Sequence, residues 1–287
     1  MYGDNSTPVF PVEDALTLIR LALAEDVRTG DVTSLWTIPE DQTEHARLIA
    51  KEDGVLAGLP IIDLVFQELQ ANVKVKLYRH DGDVVKIGDL IAELDGTTRE
   101  LLTGERTLLN FIQQLSGVAT VAHKFQDVLK AGHTKVLDTR KTVPGFRTLQ
   151  KYAVRVGGGS NHRMGLFDMV LVKDNHIAAC GGVLEALSVV KKHNDRNLMV
   201  EMEVENLDEL KKLLNKGVDV IMLDNMSNAM MAEALKIIRE SGDKVLVEGS
   251  GNMTLERAKE IATLGLDYIS VGALTHSVKA LDISMRI

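Results

Sequence analysis

The sequence predicts an α/β protein in which a small N-terminal α+β region precedes a β/α barrel. Two observations lead to this fold class. From Thr134 onward, short apolar β runs alternate with helical patterns, whereas the residues before Arg99 show no such alternation. A strand that returns parallel to its predecessor needs a crossover helix, so repeated βα units indicate a parallel sheet. The β runs are apolar throughout, which is typical of strands buried on both faces.

The region before Arg99 mixes helical and strand patterns. PVEDALTLIRLALAED places Leu16, Ile19 and Leu23 on one helical face, and VKVKLYR alternates like a half-buried strand. HDGDVVKIGDLIAELDG has turn residues around two short β runs and looks like the hairpin repeat of biotinyl and lipoyl domains. Lys86 lies outside any tight turn tip of the kind that carries a cofactor, so we interpret this segment as structural.

A long helical pattern begins near Arg99, and six β runs follow it. The runs are TKVLD, DMVLVK, LMVEMEV, VDVIMLD, KVLVEGS and LDYISVG. Six such strands fit either a barrel or an open doubly wound sheet. No glycine-rich GxGxxG turn follows the first run, which favours the barrel.

Composition narrows the class of partner. A net charge of −8 argues against a general nucleic-acid binder, although small anions respond to local charge. No apolar run reaches the roughly 18 residues that span a bilayer, so no membrane partner is expected. MYGDNSTPVF has neither the basic start nor the apolar core of a signal peptide. Cys180 is the single cysteine, so we expect a reduced, cytoplasmic setting with Cys180 buried or half-buried.

Polar or glycine residues end or follow every one of the six β runs. In a β/α barrel those carboxyl ends gather on one face, and active sites lie on that face. A glycine-rich strand end that leads into a helix also offers backbone N–H groups to a phosphate. In chain order the residues are Thr139, Arg140 and Lys141; Lys173, Asp174 and Asn175; Glu201, Glu203 and Glu205; Asp224 and Asn225; Gly249, Ser250, Gly251 and Asn252; and Gly272, Ala273, Thr275 and His276.

Several of these residues are cations in an acidic chain, and they need an anion. Two unit charges 4 Å apart interact by about 4 kcal/mol at an effective dielectric constant near 20, so clustered cations repel unless a polyanion binds. Arg163 follows a glycine run that lets backbone approach closely. Carboxylates in the same cluster could hold Mg²⁺ against a diphosphate. The predicted site therefore combines Arg140, Lys141, Arg163 and Lys173 with Glu203 and Asp224.

Other cations and the histidines receive plainer interpretations. RTLQKYAVRV places Arg147, Lys151 and Arg155 at helical spacing, and we interpret them as a solvated helix face. The histidines show no zinc-ligand spacing. We therefore interpret His162 and His176 as hydrogen-bond donors rather than metal ligands.

Three other functions fit parts of this pattern. A lysine at a strand end could form a Schiff base in an aldolase, with Lys173 as the nucleophile. Glu203 and Asp224 could serve a glycosidase, although the surrounding cations suit sugars poorly. A phosphate-binding module without catalysis would need the cations but not the acidic pair. The chain has no P-loop, HExxH, CxxC or GxSxG motif.

Longer motifs across nearly the whole chain carry a family resemblance. They are EDVRTGDVTS, GERTLLNFIQQLSGVAT, DTRKTVPGFRTLQKYAV, GGGSNHRMGLFDMVLVKDNHI, EMEVEN, IMLDNM and SVGALTHS. With these motifs the chain resembles quinolinate phosphoribosyltransferase, also called nicotinate-nucleotide pyrophosphorylase (carboxylating). That family joins quinolinate to phosphoribosyl pyrophosphate and gives nicotinate mononucleotide, pyrophosphate and carbon dioxide on the de novo route to NAD.

The resemblance also implies an architecture. It implies an N-terminal α/β sandwich domain over residues 1–109, completed by residues 276–287, and an incomplete β/α barrel over residues 110–275. It further implies a homodimer, or a higher assembly of such dimers, whose active sites lie at the subunit interface. Arg106, in the GERT motif, would enter the site of the neighbouring subunit.

Individual residues take roles from the same resemblance. Lys141 would lie close to the reacting centre and act as a catalytic residue together with Glu203 and Asp224. The acidic pair would also face the ribose hydroxyls and hold Mg²⁺. Ser250–Asn252 and Val271–Ala273 would form the 5′-phosphate loops. The full set of implied substrate-binding residues is Arg106, Thr139, Arg140, Lys141, His162, Arg163, Lys173, Glu203, Asp224, Ser250, Gly251, Asn252, Val271, Gly272 and Ala273.

The chain departs from the family pattern at two positions. Many relatives have two glycines after the serine of the phosphate loop, where this chain has Gly251 and then Asn252. Val143 replaces a common threonine. A molybdenum-linked branch of the family shares much of the same pattern, and the residues alone leave that alternative open.

Overall fold

The computed structural model describes residues 6–287. The stretch MYGDNSTPVF, on which the expectation of no signal peptide rests, therefore lies partly outside the described residues. The described chain forms two compact units. We call residues 6–123, Thr142–Gly158 and Ala273–Ile287 the sandwich unit, and Lys124–Lys141 with Gly159–Gly272 the barrel unit.

Helices of the sandwich unit follow the apolar patterns of the sequence. In the first helix Ala15, Ile19 and Leu23 are buried, as the predicted helical face requires. The second helix is capped by the preceding residue, Asp31, whose side chain accepts a hydrogen bond from the Ser34 backbone N–H at 3.1 Å. The helices are α1 (Val12–Asp26), α2 (Val32–Thr37), α3 (Ile61–Glu68), α4 (Thr98–Val128), α5 (Arg147–Val156) and, later in the chain, α11 (Ala273–His276).

The sheet of this unit has four antiparallel strands and includes the end of the chain. Its strands are β1 (Thr43–Ala50), β3 (Lys74–Leu77), β5 (Leu90–Thr97) and β12 (Ile283–Arg286), in the order β12-β1-β5-β3. In β12, Ile283 is the register partner of Ala50, and Arg286 is the partner of Arg47. The strand predicted at VKVKLYR is β3, at one edge of the sheet, and it is more exposed than half-buried.

The predicted hairpin of HDGDVVKIGDLIAELDG is wrong in its pairing. Its two β runs are β4 (Val84–Val85) and part of β5, but β4 pairs with β2 (Gly54–Val55) in a separate two-stranded sheet. The turn between them is held by β1 instead, because the Gly88 N–H donates to the Ala50 carbonyl at 2.9 Å. Lys86 forms an exposed ion pair with Asp53 at 2.9 Å, in keeping with a structural segment.

Helix α5 corrects the interpretation of its cations. Lys151 is buried, with 2 % of its surface exposed, so it does not belong to a solvated face. The helix is buried on several sides, because Leu149, Tyr152 and Val154 are buried as well. Helical spacing alone could not separate a cationic outer face from a helix that is covered almost all round.

Six parallel strands form the sheet of the barrel unit, and all six predicted β runs are confirmed. They are β6 (Lys135–Leu137), β7 (Val170–Val172), β8 (Val200–Val204), β9 (Val220–Asp224), β10 (Leu246–Ser250) and β11 (Tyr268–Ser270). The order is β6-β11-β10-β9-β8-β7. From β7 to β11 each strand neighbours the next in sequence, and the last strand, β11, pairs with the first, β6. The ring is open only between β6 and β7, so the fold is an incomplete barrel rather than a doubly wound sheet.

Helices connect the strands of the barrel unit, as the predicted βα units require. They are α6 (Asp174–Cys180), α7 (Val183–His193), α8 (Leu207–Leu213), α9 (Asn228–Ser241) and α10 (Leu255–Ile261). Side chains fix their starts. Asn206, Ser227 and Thr254 each accept a hydrogen bond from a backbone N–H in the first turn of α8, α9 and α10 respectively.

The two compact units do not coincide with the predicted domains residue for residue. Residues 142–158, which were assigned to the barrel domain, belong to the sandwich unit by compactness, and so do residues 110–123. Compactness and independent folding are different properties. The limits 1–109 with 276–287, and 110–275, therefore stay predictions about domains.

Cys180 is exposed, and the expectation that it is buried or half-buried was wrong. It is the last residue of α6, and none of the residues of that helix is buried. A small apolar side chain was expected to follow the usual burial of cysteine, but the helix that carries it lies on the surface.

We predict that Gly132→Ala destabilises the barrel unit more than Gly242→Ala does. A Cβ at Gly132 would overlap the carbonyl oxygen of Ala262, whereas a Cβ at Gly242 meets nothing within 4 Å. The backbone at Gly242 is the less favourable of the two for alanine, because its φ of +72° lies in the left-handed region. We expect a loss of about 2–3 kcal/mol for Gly132→Ala from overpacking and about 1 kcal/mol for Gly242→Ala from left-handed strain.

Urea unfolding of both variants, at equal protein concentration, measures these losses. A Gly132→Ala loss no larger than that of Gly242→Ala would show that the loop after α4 can move away from Ala262.

Candidate active site

The predicted site residues of the barrel unit lie at one end of its sheet. All six strands are parallel, so their carboxyl ends share one edge. Arg140, Lys141 and Lys173 are exposed there, while Glu203 is buried and Asp224 half-buried. The residues placed at this end are Thr139, Arg140, Lys141, Lys173, Glu203, Asp224, Ser250, Gly251, Asn252, Val271 and Gly272.

Two predicted residues, Arg106 and Ala273, belong to the sandwich unit. Arg106 is an exposed residue of α4, whereas Leu108 and Leu109 on the same helix are buried. No hydrogen bond or ion pair joins Arg106 to any other described residue. Its side chain therefore has no structural duty within the described part of one chain. Ala273 is the first residue of α11.

Glu203 and Asp224 form the acidic part of the site. They come from the neighbouring strands β8 and β9, and Asp224 is the register partner of Ser250 on β10. Burial raises the pKa of the Glu203 carboxyl, and the charge of Asp224 raises it further. Lys173 opposes the shift, with its Nζ 3.8 Å from Glu203 Oε2. The Asp224 carboxylate accepts a hydrogen bond from Asn225 Nδ2 at 2.6 Å.

A short loop ahead of β7 positions His162 and Arg163, and Asp138 fixes that loop. Asp138 follows β6 and is fully buried. Its carboxylate accepts hydrogen bonds from the His162 backbone N–H at 2.9 Å and from Asn161 Nδ2 at 2.5 Å. The end of β6 and the loop also form a parallel bridge between Leu137 and Ser160. The place of His162 is thus set by backbone contacts and not by its ring alone.

The ring of His162 is neutral and has one defined tautomer. Its Nδ1 accepts a hydrogen bond from the Arg163 backbone N–H at 2.7 Å, so Nδ1 carries no proton. Nε2 therefore carries the proton, and it lies 3.1 Å from Oε2 of Glu201 and 3.9 Å from Oε2 of Glu248. Both glutamates are fully buried. The ring thus stands between a backbone donor and two carboxylates.

This buried trio resembles a metal-ligand set, but its tautomer does not suit one. One ligand atom each from His162, Glu201 and Glu248 lies within 4.8 Å of the others. A nitrogen that carries a proton has no lone pair to give to a metal. Since Nδ1 is held as an acceptor, Nε2 cannot lose its proton without making an imidazolate. The trio is better described as a hydrogen-bonding group inside the barrel.

Arg163 is a buried cation whose backbone N–H and guanidinium both donate hydrogen bonds within the same loop. It is 6 % exposed, and its Nη1 donates to the Met169 carbonyl at 3.2 Å. The loop between them is closed by Asp168, whose carboxylate accepts from the backbone N–H groups of Met164 and Gly165 at 2.7 and 2.9 Å. A guanidinium fixed in this way is preorganised for an anion.

The loop after β10 shows why Asn252 can stand where many relatives have a second glycine. Gly251 and Asn252 have φ of +92° and +47°, in the left-handed region. Glycine adopts this conformation freely, and asparagine tolerates it better than other residues with a side chain. A Cβ at Gly251 would overlap Oδ1 of Asn225, so only glycine fits there. The departure at Asn252 therefore keeps the backbone shape that a second glycine would give.

The departure at Val143 has little structural consequence. Val143 is 45 % exposed, so its side chain is not part of the core. The Val143 N–H donates to Gln150 Oε1 at 2.9 Å, a bond that does not depend on the side chain.

Sequence reasoning missed three residues near the site, Asp138, Glu248 and Arg257, and it gave Glu201 no role beyond its place in a β run. Glu201 and Glu248 had a visible signal, since they are charged residues inside apolar β runs. Asp138 was passed over for the cations that follow it. Arg257 had no signal, because a lone arginine in a helical pattern is usually a solvated residue.

An incomplete β/α barrel whose strand ends carry cations and two carboxylates defines a barrel protein with a charged site at the carboxyl edge of its sheet. Comparison with known proteins makes this class specific. Residues 31–116 match the family model of the quinolinate phosphoribosyl transferase N-terminal domain, and residues 118–286 match that of the C-terminal domain.

Individual relatives agree with the family models. The mitochondrial quinolinate phosphoribosyltransferase (decarboxylating) 2b of Nicotiana tabacum is 42 % identical over 299 positions, which cover 98 % of this chain and 84 % of the relative. The chloroplastic nicotinate-nucleotide pyrophosphorylase (carboxylating) of Arabidopsis thaliana is 43 % identical with the same coverage. The structure of nicotinate-nucleotide pyrophosphorylase from Francisella tularensis has a TM-score of 0.90 and 43 % identity, and 99 % of each chain is covered.

The chain belongs to the quinolinate phosphoribosyltransferase family. This membership replaces the aldolase, glycosidase and phosphate-module interpretations of the same residues. It also agrees with the incomplete barrel and the sandwich that the sequence predicted. Within residues 6–287, no helix is both long enough and apolar enough to cross a membrane.

We predict that Glu203→Gln raises the melting temperature at pH 7 in EDTA. The pKa of Glu203 is raised in the folded protein, so the folded state holds its proton more tightly than the unfolded chain. The cost of the buried charge is absent below the ordinary pKa of 4.5 and grows as the pH rises through the shifted pKa. The gain from Glu203→Gln should therefore disappear towards pH 4.5.

Glu256→Gln is the matched control. A hydrogen bond from its own backbone lowers the pKa of the exposed Glu256 carboxyl, so removing this charge should give no gain at pH 7. Thermal unfolding at several pH values compares the two variants. If Glu203→Gln melts below the unmodified protein at pH 7, the carboxylate is stabilised by its surroundings and the sign is wrong.

Proposed function

We propose that this chain transfers the phosphoribosyl group of phosphoribosyl pyrophosphate to quinolinate, with loss of carbon dioxide. The products are nicotinate mononucleotide and pyrophosphate, in de novo NAD biosynthesis. The observation that carries the proposal is the gathering of exposed and buried cations around Glu203 and Asp224 at one end of the parallel sheet. Both substrates are polyanions, which is what such a cluster of cations can hold.

The cations bind the two substrates. Arg140, Arg163 and Lys173 face the quinolinate carboxylates and the ribose phosphate. His162, whose ring is neutral, belongs to the same binding group. The buried guanidinium of Arg163 supplies a fixed charge, while the exposed Arg140 and Lys173 close around the ligand. Thr139 accepts a hydrogen bond from the Lys141 backbone N–H at 2.9 Å, which shapes the turn that carries Arg140.

Backbone N–H groups bind the 5′-phosphate. Ser250, Gly251 and Asn252 form one loop, and Val271, Gly272 and Ala273 form the other. Gly251 and Asn252 both have left-handed backbone conformations, which turn the chain after β10, and backbone N–H groups of a turn can bind an anion. These loops lie at the carboxyl ends of β10 and β11.

Electrostatic positioning supplies the chemistry. When pyrophosphate leaves, the ribose develops an oxocarbenium-like positive charge. Glu203 and Asp224 can stabilise that charge, while Lys141 and its neighbours neutralise the leaving group. No nucleophile of the protein is required. Loss of carbon dioxide then puts negative charge on a ring carbon, where a nearby cation helps.

Glu203 and Asp224 fit a magnesium ion. They are two carboxylates on adjacent strands, and Mg²⁺ is usually held by one or two carboxylates together with substrate phosphates. The ion would neutralise the diphosphate oxygens. The melting temperatures of Glu203→Gln and the unmodified protein, compared at pH 7 with Mg²⁺ and with EDTA, test this assignment. A bound cation beside Glu203 favours the charged form of its carboxyl and so stabilises the unmodified protein. Mg²⁺ should shrink the gain in melting temperature relative to EDTA.

The working unit in this proposal is a homodimer that shares its active sites. The exposed Arg106, which has no partner among the described residues, would reach the site of the other subunit. Higher assemblies of such dimers fit the same arrangement. We propose a cytoplasmic location, which the single cysteine supports, although the plant relatives are mitochondrial or chloroplastic.

The first test of the proposal is substrate choice. Quinolinate has two adjacent carboxylates and nicotinate has one. A desolvated cation without its carboxylate costs a few kcal/mol, so we expect nicotinate to be used roughly 10²-fold less efficiently or worse. Formation of nicotinate mononucleotide from each substrate, at equal phosphoribosyl pyrophosphate, measures kcat/KM.

Comparable turnover of nicotinate would contradict the assignment of two carboxylate sites. The same assay separates this protein from the molybdenum-linked branch of the family, for which quinolinate turnover is not expected.

The second test concerns shared sites. We predict that Arg106→Ala folds and dimerises but is nearly inactive, because its buried neighbours Leu108 and Leu109 are untouched. Lys141→Ala should also be inactive. A mixture of the two variants should recover activity, because a mixed dimer can assemble one intact site from two chains.

Subunit exchange is verified by mass spectrometry of an isotope-labelled partner. Each variant mixed with itself is the control. If exchange is shown and activity stays at zero, the site is not shared between subunits. Full activity of Arg106→Ala alone would show that the residue has no catalytic duty.

A further inference from the structure

We infer that Arg257 is a positioning residue, which aligns the loop after Asp224 with the phosphate loop Ser250–Asn252. The inference rests on the proposed role of that loop in binding phosphoribosyl pyrophosphate. Arg257 lies on α10 and would not touch the substrate. It acts through the backbone of two loops at the carboxyl ends of β9 and β10.

One guanidinium bridges the two loops. Nη1 of Arg257 donates to the Gly251 carbonyl at 2.5 Å, and Nη2 donates to the Met226 carbonyl at 2.5 Å. Nε donates to Asn228 Oδ1 at 3.1 Å. All three kinds of nitrogen in the side chain are therefore engaged. The planar fork of arginine suits such divergent acceptors, which a lysine ammonium cannot match.

The guanidinium is itself held in place. The Arg257 backbone N–H donates to Oγ1 of Thr254, the residue before α10, at 3.2 Å. On the other side, Asn228 Nδ2 donates to Glu260 Oε2 at 2.8 Å, which turns Asn228 Oδ1 towards Arg257. The first turns of α9 and α10 thus form one hydrogen-bonded network around Arg257.

Holding a carbonyl also directs the next N–H group. The C=O and N–H of one planar trans peptide point in opposite directions. When Arg257 takes the Gly251 and Met226 carbonyls, the N–H groups of Asn252 and Ser227 point away from it. Neither of these N–H groups donates to another described residue. They are available to a phosphate on the far side of the loops.

A second contact keeps the two loops in register. The Asn225 backbone N–H donates to the Ser250 carbonyl at 3.0 Å. The Asn225 side chain leaves no room for a Cβ at Gly251, and it also holds the Asp224 carboxylate. Movement of the phosphate loop would therefore move Asp224. Arg257 is the clamp on the outer side of this pair of loops.

The test compares Arg257→Ala, Arg257→Lys and Arg239→Ala with the unmodified protein. Arg239 is the matched control, since it lies in the last turn of α9 and donates to one backbone carbonyl, that of Leu264, at 3.0 Å. Steady-state kinetics with quinolinate and phosphoribosyl pyrophosphate gives KM for each substrate and kcat. We expect Arg257→Ala to raise KM for phosphoribosyl pyrophosphate about tenfold or more, with KM for quinolinate within about twofold.

Arg257→Lys separates positioning from charge. It keeps the positive charge but loses the fork, so it should resemble Arg257→Ala, while Arg239→Ala should resemble the unmodified protein. Full recovery by lysine would overturn the inference, because charge alone would then suffice. Unchanged KM for phosphoribosyl pyrophosphate in Arg257→Ala, or an equal rise in both KM values, would overturn it as well.

The two proposals fail in different ways. If the unmodified protein and Arg239→Ala both lack turnover, the proposed function is wrong and the inference falls with it. If both turn over normally and the Arg257 variants do too, only the inference is wrong. Circular dichroism spectra and melting temperatures show whether each variant is folded.

Discussion

Closure of the parallel sheet is the constraint on which the rest of the structure depends. The pairing of β11 with β6 turns six consecutive strands into a ring with one opening, so all carboxyl ends meet at one edge. Lys173 and Glu203 lie 3.8 Å apart because they belong to the ends of the neighbouring strands β7 and β8. Without the pairing of β11 with β6, the strand that leads into Arg140 and Lys141 would have no partner among the six. Strand order thus determines which residues meet at the site, and the individual side chains then determine its chemistry.

Buried polar groups in the barrel unit convert that position into a fixed geometry. Asp138 has no exposed surface, and its carboxylate accepts a hydrogen bond from the loop that carries His162. The His162 ring, in turn, accepts the Arg163 N–H and faces Glu201. Polar groups removed from water are costly unless they are paired, so this arrangement is stable in few geometries. A site built in this way would not have to reorganise when the proposed anionic substrates bind, which is the general advantage of preorganisation.

The sequence could predict what depends on periodicity and could not predict what depends on neighbours. Six apolar runs and the helices between them specify the βα units, and the polar residues at strand ends follow from them. Lys151 shows the limit, because its spacing is that of a solvated face while the helix around it is buried. The wrong hairpin has the same origin, since the turn at Gly88 bonds to Ala50 on a distant strand. Cys180 is exposed although cysteines are usually buried, because the helix that it ends lies on the surface.

Backbone direction at the proposed phosphate loop, Ser250–Asn252, links the strand order to the geometry of the site. A loop can present N–H groups to a phosphate only if its carbonyl groups are satisfied elsewhere, because each peptide unit carries both. Left-handed conformations at Asn225, Gly251 and Asn252 turn the chain, and Arg257 takes up carbonyl groups on the opposite side. In that conformation the Cβ of asparagine lies close to the following carbonyl oxygen, which is a steric cost that glycine does not have. The hydrogen bonds that Arg257 donates to the two loops can offset this cost. A loop with one glycine fewer can therefore keep its shape when a neighbouring helix supplies the donors that hold it.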